Sequence, residues 1–463
     1  MYPDGFIKRI KSQKYIDSVA LLKALEEPSP VSIRINPGKW NNKPLHSEPV
    51  PWCKTGFYLD SRPSFTLDPL FHSGSFYPQE ASGMFLEQVF KQCISQTGYL
   101  RVLDLCGAPG GKSTHLSSLI GSRGLLVANE VIRTRATILA ENIAKWGGTN
   151  TLVTQNDPSV FSRLSGFFDI VLVDAPCSGE GMFRDPVAVN EWSEENAFHC
   201  SERQKRILPN VWPALRENGI LIYSTCTFNP GENEENIKWL LNYHEAETVE
   251  LNVNDFKGIT EIDYQGVKGY GFYPDKIKGE GLFVSVIRKI GGSDQAMNRT
   301  QKKSGRELSK ADQKIAKEWT TFPGENIIRN GDEIFSFPGR MEDHQMLHRS
   351  LKVIRNGTRI CIAKKNGYIP THELALSDSI RNSVFTVAEL DYVQAVAYLR
   401  RDNLLIKGIP KGWFIAIYKG VNLGFCNNIG NRINNYYPIG WRIRMPLPEP
   451  ANTNIISWEP KIA

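Results

Sequence analysis

The chain has 463 residues, of which 41% are hydrophobic and 22% charged, as expected of a soluble protein with two to four domains. It has no apolar run near the roughly 20 residues that a membrane span needs, and no apolar segment follows its first charged residues, so we expect neither membrane association nor a signal peptide. The formal net charge of +6 permits a nucleic-acid partner without requiring one.

The cysteines and histidines indicate neither a disulfide framework nor a metal site. The eight cysteines include no CxxC pair, and the eight histidines include no spacing such as HExxH. We therefore predict reduced thiols, a cytoplasmic protein and no bound metal. We also expect a monomer. A free cysteine is often only a small buried residue, and we interpret five of them in this way: Cys53, Cys93, Cys200, Cys361 and Cys426.

Residues 1–80 are predicted to form a small N-terminal α/β module. Ser32–Trp40 has the pattern of a strand that leaves basic residues exposed, and Val50–Leu59 that of a second strand with aromatic faces. The segment Phe76–Phe90 then leads into the next domain.

Residues 81–290 alternate strand and helix patterns, which predicts a doubly wound sheet. A helix is expected at Lys112–Leu119, and an amphipathic one at Ile132–Gly147, where the Gly147-Gly148 pair is a C-cap signal. The run Gly281–Lys289 is interpreted as the last edge strand.

A turn with almost no side-chain bulk, CGAPGG, follows the strand Val102–Leu105 and precedes a helix. Glycines let backbone N–H groups approach a ligand, and a helix N-terminus favours negative charge. A Walker loop is excluded because Cys106 stands where its first glycine belongs, and the GxGxxG pattern is absent. The turn therefore predicts a ligand cradle of another kind.

Acidic residues end the next two strands. Glu130 is placed to bind a ribose diol, as in dinucleotide folds, and Asp157 to accept a hydrogen bond from an adenine amino group. Together with the glycine turn they favour S-adenosylmethionine, whose cationic sulfonium and zwitterionic methionine need no phosphate clamp.

Two cysteines lie just beyond strand ends, Cys177 in DAPCSGEG and Cys226 in STCTF. Carboxyl ends of parallel strands share one edge of a sheet, so both should face one crevice, with Asp174 beside them. Thiols beside a methyl donor suit methylation of a carbon that is not nucleophilic, such as C5 of a pyrimidine. A thiolate that adds to C6 makes C5 able to attack the methyl group.

These motifs resemble the RNA cytosine-5 methyltransferases of the Nol1/Nop2/Sun family. DLCGAPGGKS, DAPCSGEG and STCTFNPGENEENI match in order and spacing, and GEGMFR is similar to the bacterial methyltransferase F branch, which modifies small-subunit ribosomal RNA. The resemblance implies a Rossmann-like S-adenosylmethionine-dependent methyltransferase core, an α/β class fold, with an RNA-facing N-terminal module.

The resemblance also assigns roles to residues. It implies that Cys226 is the nucleophile that attacks C6 and that Cys177 helps to release the product. The place of Asp174 beside Cys177 favours a contact with the target base. Pro78, Gln79 and Glu80 would lie at the rim of the cofactor pocket. The cofactor contacts that it implies are Cys106, Gly107, Ala108, Pro109, Gly110, Gly111, Lys112, Glu130, Asp157 and Asp174.

Some of these residues also have plainer interpretations. Asp174 could cap a turn, and Glu130 and Asp157 could be ordinary strand-end acids. Lys112 begins a helix, where the dipole disfavours a cation, so we expect it to pair with Asp174 or a substrate phosphate. Phe183 and Arg184 could lie on the surface or touch RNA near the target base.

Beyond the core, residues 291–320 form a basic linker that leads into a helix from Ser309, and residues 321–389 a small domain with strands at DEIFSF and TRICIAKK. Residues 390–463 carry nine Lys/Arg against four Asp/Glu and resemble a PUA-like β-barrel that binds RNA. Cations mixed with stacking surfaces suit RNA: Lys411, Lys419, Arg432, Arg442 and Arg444 with Trp413, Tyr436, Tyr437 and Trp441.

The leading prediction is 5-methylcytosine formation in 16S ribosomal RNA, either free or within the small subunit. The catalytic motifs do not separate this substrate from transfer RNA. A different class, an RNA-binding assembly factor with an inactive core, is disfavoured by the intact cysteines and glycine turn.

Overall fold

The computed structural model describes residues 2–94, 98–291, 308–323, 326–446 and 454–460. Within them lie an N-terminal module, a central domain built on a ten-stranded sheet, a small unit and a C-terminal unit, each of the outer three with a four-stranded sheet. None of the described helices is long and apolar enough to cross a membrane.

The N-terminal module pairs its strands in an antiparallel sheet of order β2-β3-β1-β4. Its elements are α1 (Asp4–Ser12), α2 (Ser18–Glu26), β1 (Val31–Ile35), β2 (Ser47–Pro49), β3 (Gly56–Leu59), α3 (Pro69–His72) and β4 (Phe76–Pro78). The prediction that the first strand exposes its basic residues is wrong for Arg34, which is 1% exposed. Its guanidinium bonds to Gln79 and Thr114, and so faces the central domain rather than solvent.

The central domain alternates strands and helices as its sequence pattern predicts. Its elements are α4 (Leu86–Cys93), β5 (Leu100–Asp104), α5 (Gly111–Ile120), β6 (Gly124–Asn129), α6 (Arg133–Trp146), β7 (Thr151–Thr154), β8 (Phe168–Asp174), α7 (Pro186–Glu191), α8 (Glu194–Val211), β9 (Leu215–Thr225), α9 (Glu234–Tyr243), β10 (Ala246–Thr248), β11 (Thr260–Tyr264), β12 (Val267–Phe272) and β13 (Leu282–Lys289).

Strands β9, β8, β5, β6 and β7 are neighbours in that order and run parallel. From β5 the chain adds β6 and β7 on one side, and it then returns to add β8 and β9 on the other side. The order of strands therefore switches between β5 and β8, and open α/β sheets bind their ligands at such a point. The prediction that Gly281–Lys289 is an edge strand is wrong, because β13 pairs with β9 on one side and with β12 and β10 on the other.

Helices cover both faces of this sheet because successive buried residues of a strand point to opposite faces. In β5, for example, Leu103 and Val102 belong to different hydrophobic clusters, and so do Val127 and Leu126 in β6. Helix α6 ends at Gly147 in the left-handed conformation, φ 82°, as the C-cap signal predicts.

The small unit contains α10 (Lys310–Trp319), β14 (Ile327–Asn330), β15 (Glu333–Ser336), α11 (Met341–Ser350), β16 (Val353–Arg355), β17 (Thr358–Lys364), β18 (Gly367–Pro370), α12 (His372–Leu376) and β19 (Thr386–Glu389). The helix expected from Ser309 is present, with Ser309 as its N-cap in a capping box. Residues 292–307 of the expected linker lie outside the described residues. The small unit is not self-contained, since β16 pairs with β7 of the central sheet.

The C-terminal unit contains α13 (Tyr392–Arg400), β20 (Gly412–Tyr418), β21 (Val421–Asn428) and β22 (Ile433–Asn435). Its sheet has the order β19-β20-β21-β22, so it begins four residues before position 390. The described strands form this open sheet, and its topology does not show the closed barrel that we expected. Tyr437, an expected stacking surface, is fully buried, because it packs against Tyr398 and His372.

The two ends of the chain share one hydrophobic core. Trp458 packs edge-on against Trp40 at 5.4 Å between ring centroids and against Phe76 at 5.6 Å, and it forms a β-bridge with Pro44. The same cluster joins Ile33 of the N-terminal module to side chains of the C-terminal unit. Removal of residues 390–463 would therefore expose the N-terminal module's core as well as delete basic residues.

We predict that Trp458→Ala lowers the midpoint of thermal unfolding by several degrees, because truncation of a buried aromatic side chain costs about 3 kcal/mol. Circular dichroism would measure the transition. Phe198→Ala is the matched control, since Phe198 is 63% exposed, and its midpoint should stay near that of the wild type. Equal midpoints for both variants would contradict a shared core.

Candidate active site

The glycine turn lies between the carboxyl end of β5 and the start of α5. Gly110 has φ 121°, a conformation that side chains rarely adopt. A Cβ on Gly107 would lie 2.7 Å from the Ser113 hydroxyl, and one on Gly111 3.5 Å from the Tyr77 ring. A side chain at Gly107 would therefore collide with Ser113, whereas one at Gly111 would make an ordinary contact with Tyr77. Burial raises the pKa of Cys106, within the same turn, well above its usual range, so this thiol stays protonated.

Asp104, at the end of β5, is a site residue that our sequence analysis did not select. Its Oδ2 accepts a 2.6 Å hydrogen bond from Ser113, whereas its buried Oδ1 has no donor among the described residues. Burial raises the pKa of Asp104 to about 7. A carboxylate oxygen without a donor beside a bare backbone turn is suited to a cationic ligand group. Its position at the end of an apolar strand, directly before the turn, was the available signal.

Glu130 and Asp157 follow the neighbouring strands β6 and β7, as predicted, but in different environments. Glu130 is buried, and it accepts a hydrogen bond from the Ile132 N–H at 3.0 Å. Asp157 is exposed and caps a 3-10 turn by accepting from the Ser159 hydroxyl at 2.6 Å and N–H at 3.0 Å. The bond from the Ser159 side chain contributes most to a lowered pKa of Asp157. Both bonds to Asp157 go to Oδ1, which leaves Oδ2 for a ligand, whereas Oε2 of Glu130 lies 3.7 Å from Arg135 Nε.

The two cysteines beyond strand ends meet. The Sγ atoms of Cys177 and Cys226 are 3.2 Å apart, and the Cys226 N–H donates to Cys177 Sγ at 3.3 Å. Both residues are partly exposed. The hydrogen bond with the Cys226 side chain, followed by burial, raises the pKa of Cys177 well above its usual range. Cys177 therefore keeps its proton near neutral pH.

Asp174, at the end of β8, is held by two partners. Its Oδ2 accepts from Lys112 Nζ at 2.8 Å, and its Oδ1 accepts from the Ser224 hydroxyl at 2.7 Å. Burial disfavours the charged form of Lys112, but Asp174 outweighs burial and the pKa of Lys112 is raised. The expected pair of Lys112 with Asp174 is thus present, and it explains why a cation is tolerated at the start of α5.

Two buried glutamates that our sequence analysis missed join the two cysteine loops, which are residues 175–185 after β8 and residues 226–233 after β9. Glu232 accepts from the Ser178 N–H at 2.9 Å, from its hydroxyl at 2.5 Å and from Gln204 at 3.1 Å. Burial raises the pKa of Glu232 to about 7. Glu180 accepts from the Phe228 N–H at 3.2 Å. The acidic residues within GEG and PGENEEN were visible in the sequence, but nothing there indicated that they are buried.

The rim residues of the N-terminal module lie beside the glycine turn. Arg34 donates to Gln79 Oε1 at 2.8 Å, to Thr114 Oγ1 at 2.6 Å and to the Gly111 carbonyl at 3.3 Å. Burial lowers the pKa of Arg34 to about 10, so it remains charged at neutral pH. Glu80 accepts from two backbone N–H groups of the turn at 82–83. The N-terminal module therefore packs directly on the turn that begins α5.

Phe183 and Arg184 are not surface residues. Phe183 is 2% exposed and packs against Phe6 at 4.8 Å between ring centroids. Arg184 donates to the carbonyl of Ala24 at 3.1 Å and that of Gly279 at 2.8 Å. Both residues connect the loop after Cys177 to its surroundings, which leaves neither of them open to RNA.

Comparison with known proteins gives the same arrangement of parts. Residues 95–288 match the family model described as 16S rRNA methyltransferase RsmB/F, residues 2–81 that of the N-terminal domain of 16S rRNA methyltransferase RsmF, and residues 385–443 that of the methyltransferase RsmF PUA domain. Proteins named ribosomal RNA small subunit methyltransferase F are similar over most of their length. The one from Shewanella loihica is 30% identical over 92% of this chain and 94% of its own, and the one from Aliivibrio fischeri ES114 31% over 94% and 96%.

Solved structures share the fold. A methyltransferase homologue from Pyrococcus horikoshii is 28% identical, with a TM-score of 0.53 over 62% of this chain and 96% of its own. NSun6 from the same organism, solved with SFG, is 20% identical, with a TM-score of 0.51 over 63% and 99%. At that identity, the second likeness concerns the fold alone.

The contact between the thiols predicts a pH effect that alkylation can measure. In Cys226→Ala, the main cause of the raised pKa of Cys177 is removed, so its pKa should fall and iodoacetamide should modify Cys177 faster between about pH 8 and 10. Peptide mass spectrometry would follow Cys177 alone. Cys93→Ala is the control and should leave the rate unchanged. An unaltered pH profile in Cys226→Ala would contradict the coupling.

Proposed function

The chain belongs to the 16S rRNA methyltransferase RsmB/F family, and we propose that it transfers a methyl group from S-adenosylmethionine to C5 of a cytosine in 16S ribosomal RNA. Membership makes it an RNA methyltransferase. We propose in addition that C5 of cytosine is the reacting carbon, that Cys226 forms a covalent adduct with C6, and that the site residues have the roles given below.

The observation that carries the proposal is the 3.2 Å contact between the sulfurs of Cys177 and Cys226, with Asp174 at the end of the adjoining strand. Methylation of an exocyclic amine or a ribose hydroxyl has no use for a pair of thiols. C5 of cytosine is not nucleophilic until a nucleophile adds to C6, and a thiolate is suited to that addition. The arrangement therefore favours C5 over the other methyl acceptors of RNA.

The residues around the glycine turn fit S-adenosylmethionine. Asp104 offers a buried carboxylate oxygen without a partner among the described residues, which suits the methionine ammonium group. Gly107, Gly110 and Gly111 give the turn little side-chain bulk, so that its backbone can approach a ligand closely, and Glu130 and Asp157 would take the ribose and adenine. Cys106, Ala108, Pro109, Lys112 and Asp174 complete the proposed pocket. When bound, the cofactor supplies an electrophilic methyl group.

We assign the nucleophile to Cys226 and the release step to Cys177. The Cys226 thiolate forms a bond to C6, and the C5–C6 electron pair makes C5 nucleophilic. After methylation, a base takes the C5 proton, the C5–H electron pair forms the C5–C6 double bond again, and the C6–S pair leaves with the Cys226 sulfur as a thiolate. Cys177 retains its proton, and at 3.2 Å it can donate a hydrogen bond to the departing Cys226 sulfur. That contact stabilises the thiolate leaving group.

Asp174 and Lys112 would hold the target base. The carboxylate of Asp174 has lone pairs beyond those used by Lys112 and Ser224, so it can accept from the cytosine N4 amino group. The base has to leave its stack to reach these residues, as for other enzymes that act on bases.

RNA affinity is assigned to the C-terminal unit, together with the N-terminal module. A cavity of about 510 Å³ in the C-terminal unit is lined by Arg401, Arg432 and Tyr436, among others. Tyr436 makes a T-shaped contact with Trp413, with 4.5 Å between ring centroids. The rest of its ring is exposed and is available for stacking on a base. The predicted basic residues that are exposed here are Lys411, Lys419, Arg432, Arg442 and Arg444.

The substrate is tested by bisulfite sequencing of ribosomal RNA from a deletion strain, where one or more 5-methylcytosines of 16S RNA should be absent. Purified small subunits, free 16S RNA and transfer RNA, each with labelled cofactor, would separate the possible substrates. Methylation of transfer RNA alone would replace the proposed substrate. Cofactor binding without transfer to any of these RNAs would favour an assembly factor with an inactive core.

For the cofactor pocket, we predict that Glu130→Ala and Asp157→Ala each weaken S-adenosylmethionine binding by about 1–3 kcal/mol, the usual loss when a polar group loses its partner. Isothermal titration calorimetry would measure this. Asp391→Ala is the matched control, because Asp391 also caps a helix but lies in the C-terminal unit. Unchanged affinity in both test variants would refute the assigned pocket.

The two cysteines should give opposite results when each is replaced. Cys226→Ala should abolish transfer and form no adduct, since no thiolate reaches C6. Cys177→Ala should allow attack and methylation but impair release, so that a methylated protein–RNA adduct accumulates as a slow band on a denaturing gel. Cys200→Ala, a buried cysteine outside the pair, is the control.

Two outcomes would contradict these assignments. A trapped band with Cys226→Ala and none with Cys177→Ala would reverse the two roles. Full transfer by both variants would show that the reaction does not proceed through a cysteine adduct.

A further inference from the structure

Glu180 is a fully buried carboxylate whose partners come from three separate segments. It lies three residues after Cys177, and its Oε2 accepts the N–H of Phe228, two residues after Cys226, at 3.2 Å. Its Oε1 accepts from Trp192 Nε1 at 3.0 Å and is paired with the Arg9 guanidinium. Glu180 thus joins both cysteine loops to α1 of the N-terminal module.

Arg9 reaches this position because α1 is anchored beside the loops. Phe6, one turn earlier on α1, is fully buried against Phe183 and Trp192. Burial raises the pKa of Glu180, and Arg9 opposes that effect. A buried carboxylate needs such a partner, since an isolated charge in the interior is strongly disfavoured. The pair has side-chain exposures of 22% for Arg9 and 0% for Glu180.

The loops that Glu180 joins also touch directly. The Gly181 N–H donates to the Cys226 carbonyl at 2.9 Å, next to Glu180 in the chain. A shift of Glu180 would therefore move the backbone of both cysteines at once, and with it the 3.2 Å contact between their sulfurs.

We propose that Arg9 and Glu180 act as positioning residues for the cysteine pair, so that a side chain of the N-terminal module completes the catalytic geometry. Neither group reaches the reacting atoms. The inference rests on the proposed function for its effect on the reaction, but its geometric part concerns only the two sulfurs. It also gives the N-terminal module a role in the chemistry, in addition to any contact with RNA.

The geometric part is tested with the full-length protein and diamide, which oxidises two neighbouring thiols to a disulfide and is itself reduced to the hydrazine. Wild type, Arg9→Met, Arg9→Lys and Glu180→Gln are compared by peptide mass spectrometry of the Cys177–Cys226 cross-link. We expect slower cross-linking in Arg9→Met and Glu180→Gln, and a rate nearer to that of the wild type in Arg9→Lys, which keeps the charge. Arg9 is partly exposed, so its variants should fold, and thermal unfolding would verify this.

The matched control is Arg101→Met. Arg101 pairs with Asp343 at 3.0 Å, with exposures of 27% and 2%, but it lies at the opposite end of β5 from the glycine turn. It therefore removes a similar ion pair without touching the cysteine loops, and cross-linking should match that of the wild type.

The kinetic part is methyl transfer to small-subunit RNA. We expect Arg9→Met and Glu180→Gln to lower kcat by about tenfold to a hundredfold, as misplacement of reacting groups does, with little change in KM for the cofactor. The double variant should lose no more than the worse single variant, because both residues act through one contact.

Cross-linking and kcat that stay at the wild-type level in Arg9→Met would overturn the inference, and so would an equal loss in Arg101→Met, which would indicate general destabilisation. Slower cross-linking in Arg9→Met and Glu180→Gln alone would support it, even if the wild type methylates none of the RNAs offered. That last result would count against the proposed function and not against the positioning pair.

Discussion

The geometry of the site depends on buried carboxylates that hold two loops from different strands together. Cys177 and Cys226 are 49 residues apart in the chain, and their strands β8 and β9 bring only the ends of the loops close. Beyond the strand ends, Glu232 and Glu180 accept hydrogen bonds from both loops. A buried carboxylate is costly unless several donors surround it. The cost of any looser arrangement therefore keeps the loops, and their sulfurs, in one geometry.

The site is also assembled from more than the central domain. Arg34 of β1 bonds to the first turn of α5 and lies over the Trp146 ring at 4.4 Å, so the N-terminal module supports the glycine turn. In turn, Trp458 near the end of the chain packs on that module. The two ends of the chain thus pack together beside the central sheet. Mutations far from the cysteines can therefore affect their environment.

The site combines one closed ion pair with carboxylates that remain open to a ligand. Lys112 neutralises Asp174. Burial raises the pKa of Cys106, and the hydrogen bond with Cys226, followed by burial, raises the pKa of Cys177, so both thiols keep their protons. Asp104 Oδ1, which has no donor among the described residues, is left for a cationic group of the cofactor. The C-terminal unit adds the exposed cations Lys411, Lys419, Arg432, Arg442 and Arg444, which can attract RNA over a longer range.

The sequence alone determined the order of the elements, the parallel strands and the edge of the sheet at which the site lies. Continuous apolar runs that end at small or polar residues are sufficient for this, because parallel strands place their carboxyl ends together. The caps at Ser309 and Gly147 were equally readable, since each depends on local backbone chemistry. The conflict of Lys112 with the helix dipole predicted a negative partner, Asp174 or a substrate phosphate, and the structure shows Asp174 in that place.

Only the tertiary structure decided which polar residues are buried and with which partners. Residue type alone did not decide whether four side chains are exposed or buried: Arg34, Phe183, Arg184 and Tyr437. They are buried or largely covered because segments distant in sequence pack on them. A periodic pattern specifies the face of an element but not what covers that face. For the same reason, the 3.2 Å contact between the sulfurs was not readable from the sequence: it depends on carboxylates whose donors come from separate parts of the chain.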